Sequence, residues 1–94
     1  MSDDVRALVG STFLFEPNAE KDVRQILVDR LTWVLDHQLD RLPHYLYRLD
    51  IPEHRVNEAF ASAESAFDVP EKLADLILER LLQIAESRRR ACQD

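Results

Sequence analysis

The chain reads as an all-α protein, a compact bundle of four to five helices with two long central helices. Three observations predict this. Apolar residues recur at i, i+3, i+4 and i+7 over two long stretches, near 19–39 and 69–90, which is the period of a helix face. The 94 residues include a single Gly among abundant Leu, Ala, Glu and Arg, whereas β-rich folds need more turn glycines. A phrase of the form apolar, Asp, β-branched, Pro, Glu occurs twice, as Leu49-Asp50-Ile51-Pro52-Glu53 and as Phe67-Asp68-Val69-Pro70-Glu71. Asp can accept the free N–H groups that open a helix, a Glu three residues on can reach back, and Pro fits the first turn. Each phrase predicts a helix start.

The length suits one domain over 1–94, with an N-terminal helix or arm at 1–17, a core at 18–90 and a tail at 91–94. Residues 3–14 place Val5, Leu8, Val9, Thr12 and Phe13 at helical spacing. Gly10 costs a helix interior about 1 kcal/mol relative to Ala, and Phe13-Leu14-Phe15 before Pro17 could instead form an extended apolar arm. Either way the phenylalanines are expected in the core.

Asn18 is a credible cap for the next helix, about 19–39, with Val23, Ile26, Leu27, Leu31, Val34 and Leu35 inward. Val28, Trp33 and Leu39 widen its apolar arc past half the circumference, leaving Asp22, Gln25, Asp29, Thr32 and Asp36 as the polar strip. One flat packing face needs less than that, so several neighbours or a subunit boundary are expected. Pro43 begins a short helix to about Leu49, with Leu42, Tyr45, Leu46 and Leu49 inward and His44, Tyr47 and Arg48 outward. The first repeated phrase opens a helix near 51–63, with Val56, Ala59, Phe60 and Ala63 inward. The second opens the strongest element, near 69–90, carrying Leu73, Leu76, Ile77, Leu81 and Ile84 flanked by Ala74, Leu78, Leu82 and Ala85. The two long helices should form a central antiparallel pair, crossed by the short ones. The phrases lie only 18 residues apart and their continuations diverge, so they are two uses of one cap and not a solenoid repeat.

Net charge is −6 and the pI about 5.0, a field that disfavours non-specific attraction to nucleic acid or anionic lipid. The acidic start Met1-Ser2-Asp3-Asp4 does not resemble a signal peptide, and Asp75, Glu79 and Arg80 break the longest apolar stretch, so no membrane span is expected. The lone Cys92 cannot form an internal disulfide; a cytoplasmic protein is expected.

Chemistry is sparse. On an unbroken helix His37, Asp40 and His44, beside Asp36, would share one face as metal ligands, but Pro43 breaks that face. His54 and Glu58 stand at i, i+4 and could form an acid–base pair, yet no nucleophile accompanies them. G-x-x-x-x-G-K-S/T, G-x-S-x-G, H-E-x-x-H and C-x-x-C patterns are all missing from the sequence. No cofactor, metal ligand or catalytic residue is assigned. Arg88, Arg89 and Arg90 could grip phosphates, although cations at a helix C-terminus are favoured without any ligand. His44, Tyr47 and Arg48 form a small polar-aromatic patch of the residue types enriched at binding hot spots.

The stretch Tyr45-Leu46-Tyr47-Arg48-Leu49-Asp50-Ile51, followed by Leu73-Ala74-Asp75-Leu76-Ile77-Leu78-Glu79-Arg80, resembles a group of small uncharacterised bacterial proteins. These carry a similar Leu-Tyr-Arg-(Leu/Ile)-Asp-(Ile/Val) phrase and a similar late helix. The resemblance runs from about Trp33 to Arg90 and implies a compact bacterial helical domain, with no activity to carry over.

The apolar excess on the long helices points to a non-catalytic protein–protein interaction module, acting as a homodimer or on another protein. Val28, Leu35, Leu78 and Leu82 are expected at the partner surface, together with Tyr47 and Arg48. A nucleic-acid-associated protein using Arg88, Arg89 and Arg90 comes second, because the acidic balance opposes it. A metal-binding enzyme comes last.

Overall fold

The structure, a computed structural model, describes residues 2–18 and 20–93, with side chains described over 4–18 and 20–91. It is all-α. Helix α1 spans Ser2–Phe13, α2 Val23–His37, a 3-10 turn Leu39–Arg41, α3 Leu42–Arg48, α4 Glu53–Ser62 and α5 Val69–Gln93. At 1.5 Å per residue the 25 residues of α5 extend about 37 Å, in a molecule of 43 × 30 × 21 Å.

Helices α2 and α5 share the most extensive contact, with α4 and α1 also laid against α5. Their shared layer holds Leu27, Leu31 and Val34 from α2 and Leu73, Ile77 and Leu81 from α5, all fully buried. Arg24 Nε, in the first turn of α2, donates to Asp75 Oδ1, in the second turn of α5, at 2.8 Å. The two N-terminal ends therefore lie side by side, whereas an antiparallel pair in full overlap would carry Arg24 toward the far end of α5. The bond to Asp75, and then its charge, hold the Arg24 guanidinium protonated even more firmly than usual.

The first segment is a helix and not an extended arm. Val5, Val9 and Phe13 enter the core at one face of α1, and the Phe13 ring lies 5.0 Å from that of Tyr45 on α3. Beyond α1 the chain doubles back along it. The N–H of Phe15 donates to Gly10 O at 3.0 Å, the Pro17 ring lies over Gly10, and Arg6 Nη2 donates to Lys21 O at 2.8 Å. This return strap uses residues that the apolar pattern assigned to the second helix. Asn18 closes a local turn by accepting the Glu20 N–H at 2.8 Å, and Asp22 is the N-cap of α2, accepting from Gln25 N at 3.4 Å.

The repeated phrase does two different jobs. Asp50 is not a helix start. It ends α3 in the left-handed conformation, φ 58°, while the Asp50 N–H donates to Tyr47 O at 3.0 Å and the Ile51 N–H to Leu46 O at 3.2 Å. Those are the two bonds of a Schellman end. The α4 N-cap is Pro52, with no side-chain cap. Asp68 does stand where α5 begins, its carbonyl taking the Lys72 N–H at 3.0 Å. Its carboxylate, however, accepts the Glu64 N–H of the preceding loop at 3.3 Å. At the other end α5 runs on to Gln93, past the expected stop near 90.

Leu14 ends α1 in the same left-handed way, φ 59°, with 68% of its surface exposed. A β-carbon in that region costs about 1–2 kcal/mol, and Gly would return about 0.5–1 of this as extra chain entropy. Leu14→Gly is therefore expected to stabilise the fold by about 0.5–1 kcal/mol and Leu14→Val to destabilise it. Urea unfolding of both variants checks this; a Leu14→Gly protein less stable than the parent would show that the exposed Leu makes an unrecognised contact.

Candidate functional site

Among the described residues, an apolar opening lies between the 3-10 turn with α3 on one side and α4 on the other. It is a cleft of about 570 Å³ lined chiefly by Leu39, Leu42, Leu46, Tyr47, Val56 and Phe60, with Glu53 and Asn57 at its edge. Local folding explains it. Pro43 stands in the first turn of α3, where its missing N–H is not needed. The Schellman end of α3 brings Ile51 back beside Leu46, and both are buried in the cleft floor. The walls are pinned to α5 separately: Arg80 Nε donates to Leu49 O at 2.8 Å, and Arg55 pairs with Glu79 at 3.2 Å. Leu39, Tyr47 and Phe60 remain 60%, 84% and 42% exposed around the mouth.

Two of these residues depart from the sequence expectation. Leu39 was expected on the apolar arc of the second helix, but that helix ends at His37 and Leu39 falls in the 3-10 turn. Phe60 was expected inward on a helix that buries nothing fully; Val56 and Ala59 are only half-buried. Tyr47 and Arg48 point outward as expected, and Tyr47 lines the cleft. The signal for Leu39 is in the sequence, a large apolar residue between His37-Gln38 and Asp40-Arg41, whereas Phe60 lies between Ala59 and Ala61 and carries no such mark.

The apolar excess on the long helices is mostly absorbed. Val28, Leu35 and Leu78 are half-buried against the core, and only Leu82 among the expected partner residues of these helices is substantially exposed, at 40%. The strap and α1 cover much of the remainder.

The histidines do not converge. His37 Nδ1 lies 3.0 Å from Trp33 O and its ring stacks on Trp33 at 5.1 Å, while His44 lies on α3 beside Tyr45. No group of three His, Cys, Asp or Glu side chains with metal-ligand geometry forms among the described residues. His54 is exposed on α4, and Glu58 faces the α4–α5 groove with Arg55 and Lys72. Sequence spacing missed a stack on α2, in which Arg30 lies 4.3 Å from the Trp33 ring and 4.8 Å from Phe15 and donates to Phe13 O at 3.2 Å. That cation ties the strap to the bundle.

The arginine run divides. Arg90 pairs with Glu86 on its own helix at 2.8 Å, whereas Arg88 and Arg89 line a cleft of about 530 Å³ between α5 and α1.

No family model, curated protein or solved structure matches the chain. No helix among the described residues is long and apolar enough to cross a membrane.

Proposed function

We propose that the protein is a non-catalytic interaction module of the bacterial cytoplasm that acts as a homodimer, each copy docking the α3–α4 cleft of the other. The observation that carries this reading is the clustering of Leu39, Tyr47 and Phe60, all exposed, around one apolar cleft. Exposed apolar patches rimmed by polar groups mark interaction sites. A second copy is the fitting occupant for three reasons. The surface holds both a projecting ring, Tyr47, and a hollow to receive one, which is what a two-fold contact requires. The neighbouring positions carry both signs, Arg41 and Arg48 with Asp40, Asp50 and Glu53, so rotation about a two-fold can place unlike charges together. A standard interface buries about 800 Å² per partner, about one-eighth of the 6270 Å² surface of this chain.

Sedimentation at micromolar concentration is expected to give twice the 11.0 kDa of the chain. Tyr47→Glu, at a site too exposed to affect folding, is expected to weaken association at least about ten-fold, as loss of an anchor residue does. Leu82→Glu is expected to leave it unchanged. Each copy carries −6, so added salt screens the overall repulsion along with the rim pairs, and an apolar interface should show only a weak salt dependence. A monomer at all concentrations rejects self-association. Dissociation by Leu82→Glu but not by Tyr47→Glu moves the interface to the long helices.

A further inference from the structure

The cleft between α1 and the C-terminal half of α5 has a different character. Its floor is apolar, from Ala7, Leu8 and Ala85, and Ser11, Asp4, Arg88 and Arg89 surround it. Among the described residues neither Arg88 nor Arg89 makes an ion pair, unlike Arg90. Attraction to the helix C-terminus accounts poorly for their placement. Both line the cleft together with Ala85, one turn before them, in keeping with the lean of helical side chains toward the N-terminus of their own helix. The small side chains of Ala7 and Ala85 leave the space they overhang.

We propose that this cleft binds a monoanionic amphiphile, an apolar chain ending in one carboxylate. The apolar floor takes the chain, and the guanidiniums supply the planar donor pairs that match a carboxylate. Asp4 offsets one of the two cations, so the rim carries a net single positive charge. That suits one anionic group, and the −6 of the whole chain opposes a polyanion. The volume falls in the range of small-molecule sites.

The test is titration of the intact protein with monomeric sodium decanoate, followed by amide NMR. Saturable shifts are expected at Ala7, Leu8, Ala85 and their neighbours, with decanol binding roughly ten-fold or more weakly for want of charge-assisted hydrogen bonds. Arg88→Gln with Arg89→Gln should weaken decanoate to the level of decanol. Ala7→Leu, at an exposed position, should fill the cleft and abolish the shifts while the protein stays folded. Non-saturating shifts, equal binding of decanol, or indifference to the double variant would overturn the proposal. So would a response only to anionic phospholipid vesicles, which assigns the cations to a membrane surface, or only to an oligonucleotide.

Discussion

Phe13→Ala is expected to destabilise the fold by about 3–5 kcal/mol, the usual cost of emptying a fully buried aromatic site. Phe13 is completely buried, and its ring is paired with Tyr45 at 5.0 Å and 52°, a contact adding about 0.5–1.5 kcal/mol beyond area. It joins α1 to α3, two elements that otherwise touch little, so neighbouring helices have few other contacts through which to close the cavity. A chain of this length has only about 5–14 kcal/mol of total stability. The loss should therefore lower the melting temperature by about 15 °C or more. Phe13→Leu, which keeps most of the volume, should cost a fraction of that. Chemical denaturation of the two variants decides. A Phe13→Ala loss below about 1 kcal/mol would mean that the N-terminal segment is not docked, returning it to the arm that Phe13-Leu14-Phe15 and Pro17 also suggested.

Helical periodicity carries over into structure wherever a residue meets the core. Leu27, Leu31, Val34, Leu73, Ile77 and Leu81 are inward in pattern and fully buried in space, because a 3.6-residue period leaves a packed helix little choice of face. Leu42, Tyr45 and Leu46 of α3 and its C-cap Leu49, all inward in the pattern, are likewise buried. Boundaries depend on hydrogen bonds between residues distant along the chain, and there the pattern failed. Asn18 has the side chain of a cap, yet the helix cannot start until the strap has passed Gly10 and Arg6 has taken Lys21 O. Asp50 and Asp68 sit in the same local phrase, but Asp50 follows a helix already ending at Arg48 and so adopts φ 58°. A residue that can cap a start can also tolerate a left-handed stop. The candidate cleft was less legible still. It arises from the placement of α3 against α4, which no single-helix wheel contains, and of its lining only Tyr47 is marked by the sequence as a partner residue. The apolar excess that suggested α2 and α5 as partner surfaces is covered by α1, α4 and the strap.

Gly10→Ala is expected to destabilise the protein by about 1–2 kcal/mol, although Ala is the better helix former by about 1 kcal/mol. Two effects compete at this one position, and the geometry decides between them. A β-carbon at Gly10 would stand 2.9 Å from Phe15 O, 2.9 Å from Pro17 Cδ and 3.1 Å from Pro17 Cγ. None of these atoms is the free end of a flexible chain. Phe15 is fixed by the bond from its N–H to Gly10 O at 3.0 Å, and the Pro17 ring cannot rotate. Relief requires lifting the strap, which also carries the Phe15 ring that Arg30 lies against and the Lys21 carbonyl that Arg6 holds. With two contacts at 2.9 Å and a third at 3.1 Å, forced repacking falls in the upper part of the usual range, about 2–3 kcal/mol, which leaves a net loss of about 1–2 kcal/mol after the gain in propensity. Pro17→Ala removes the ring atoms but not the Phe15 oxygen, so the double variant should recover part of the loss, giving non-additivity of about 0.5 kcal/mol or more. Equilibrium unfolding of the two single variants and the double variant measures both quantities. A Gly10→Ala protein that gains about 1 kcal/mol, as an unobstructed helix position would, would show that the strap does not lie against α1 in solution.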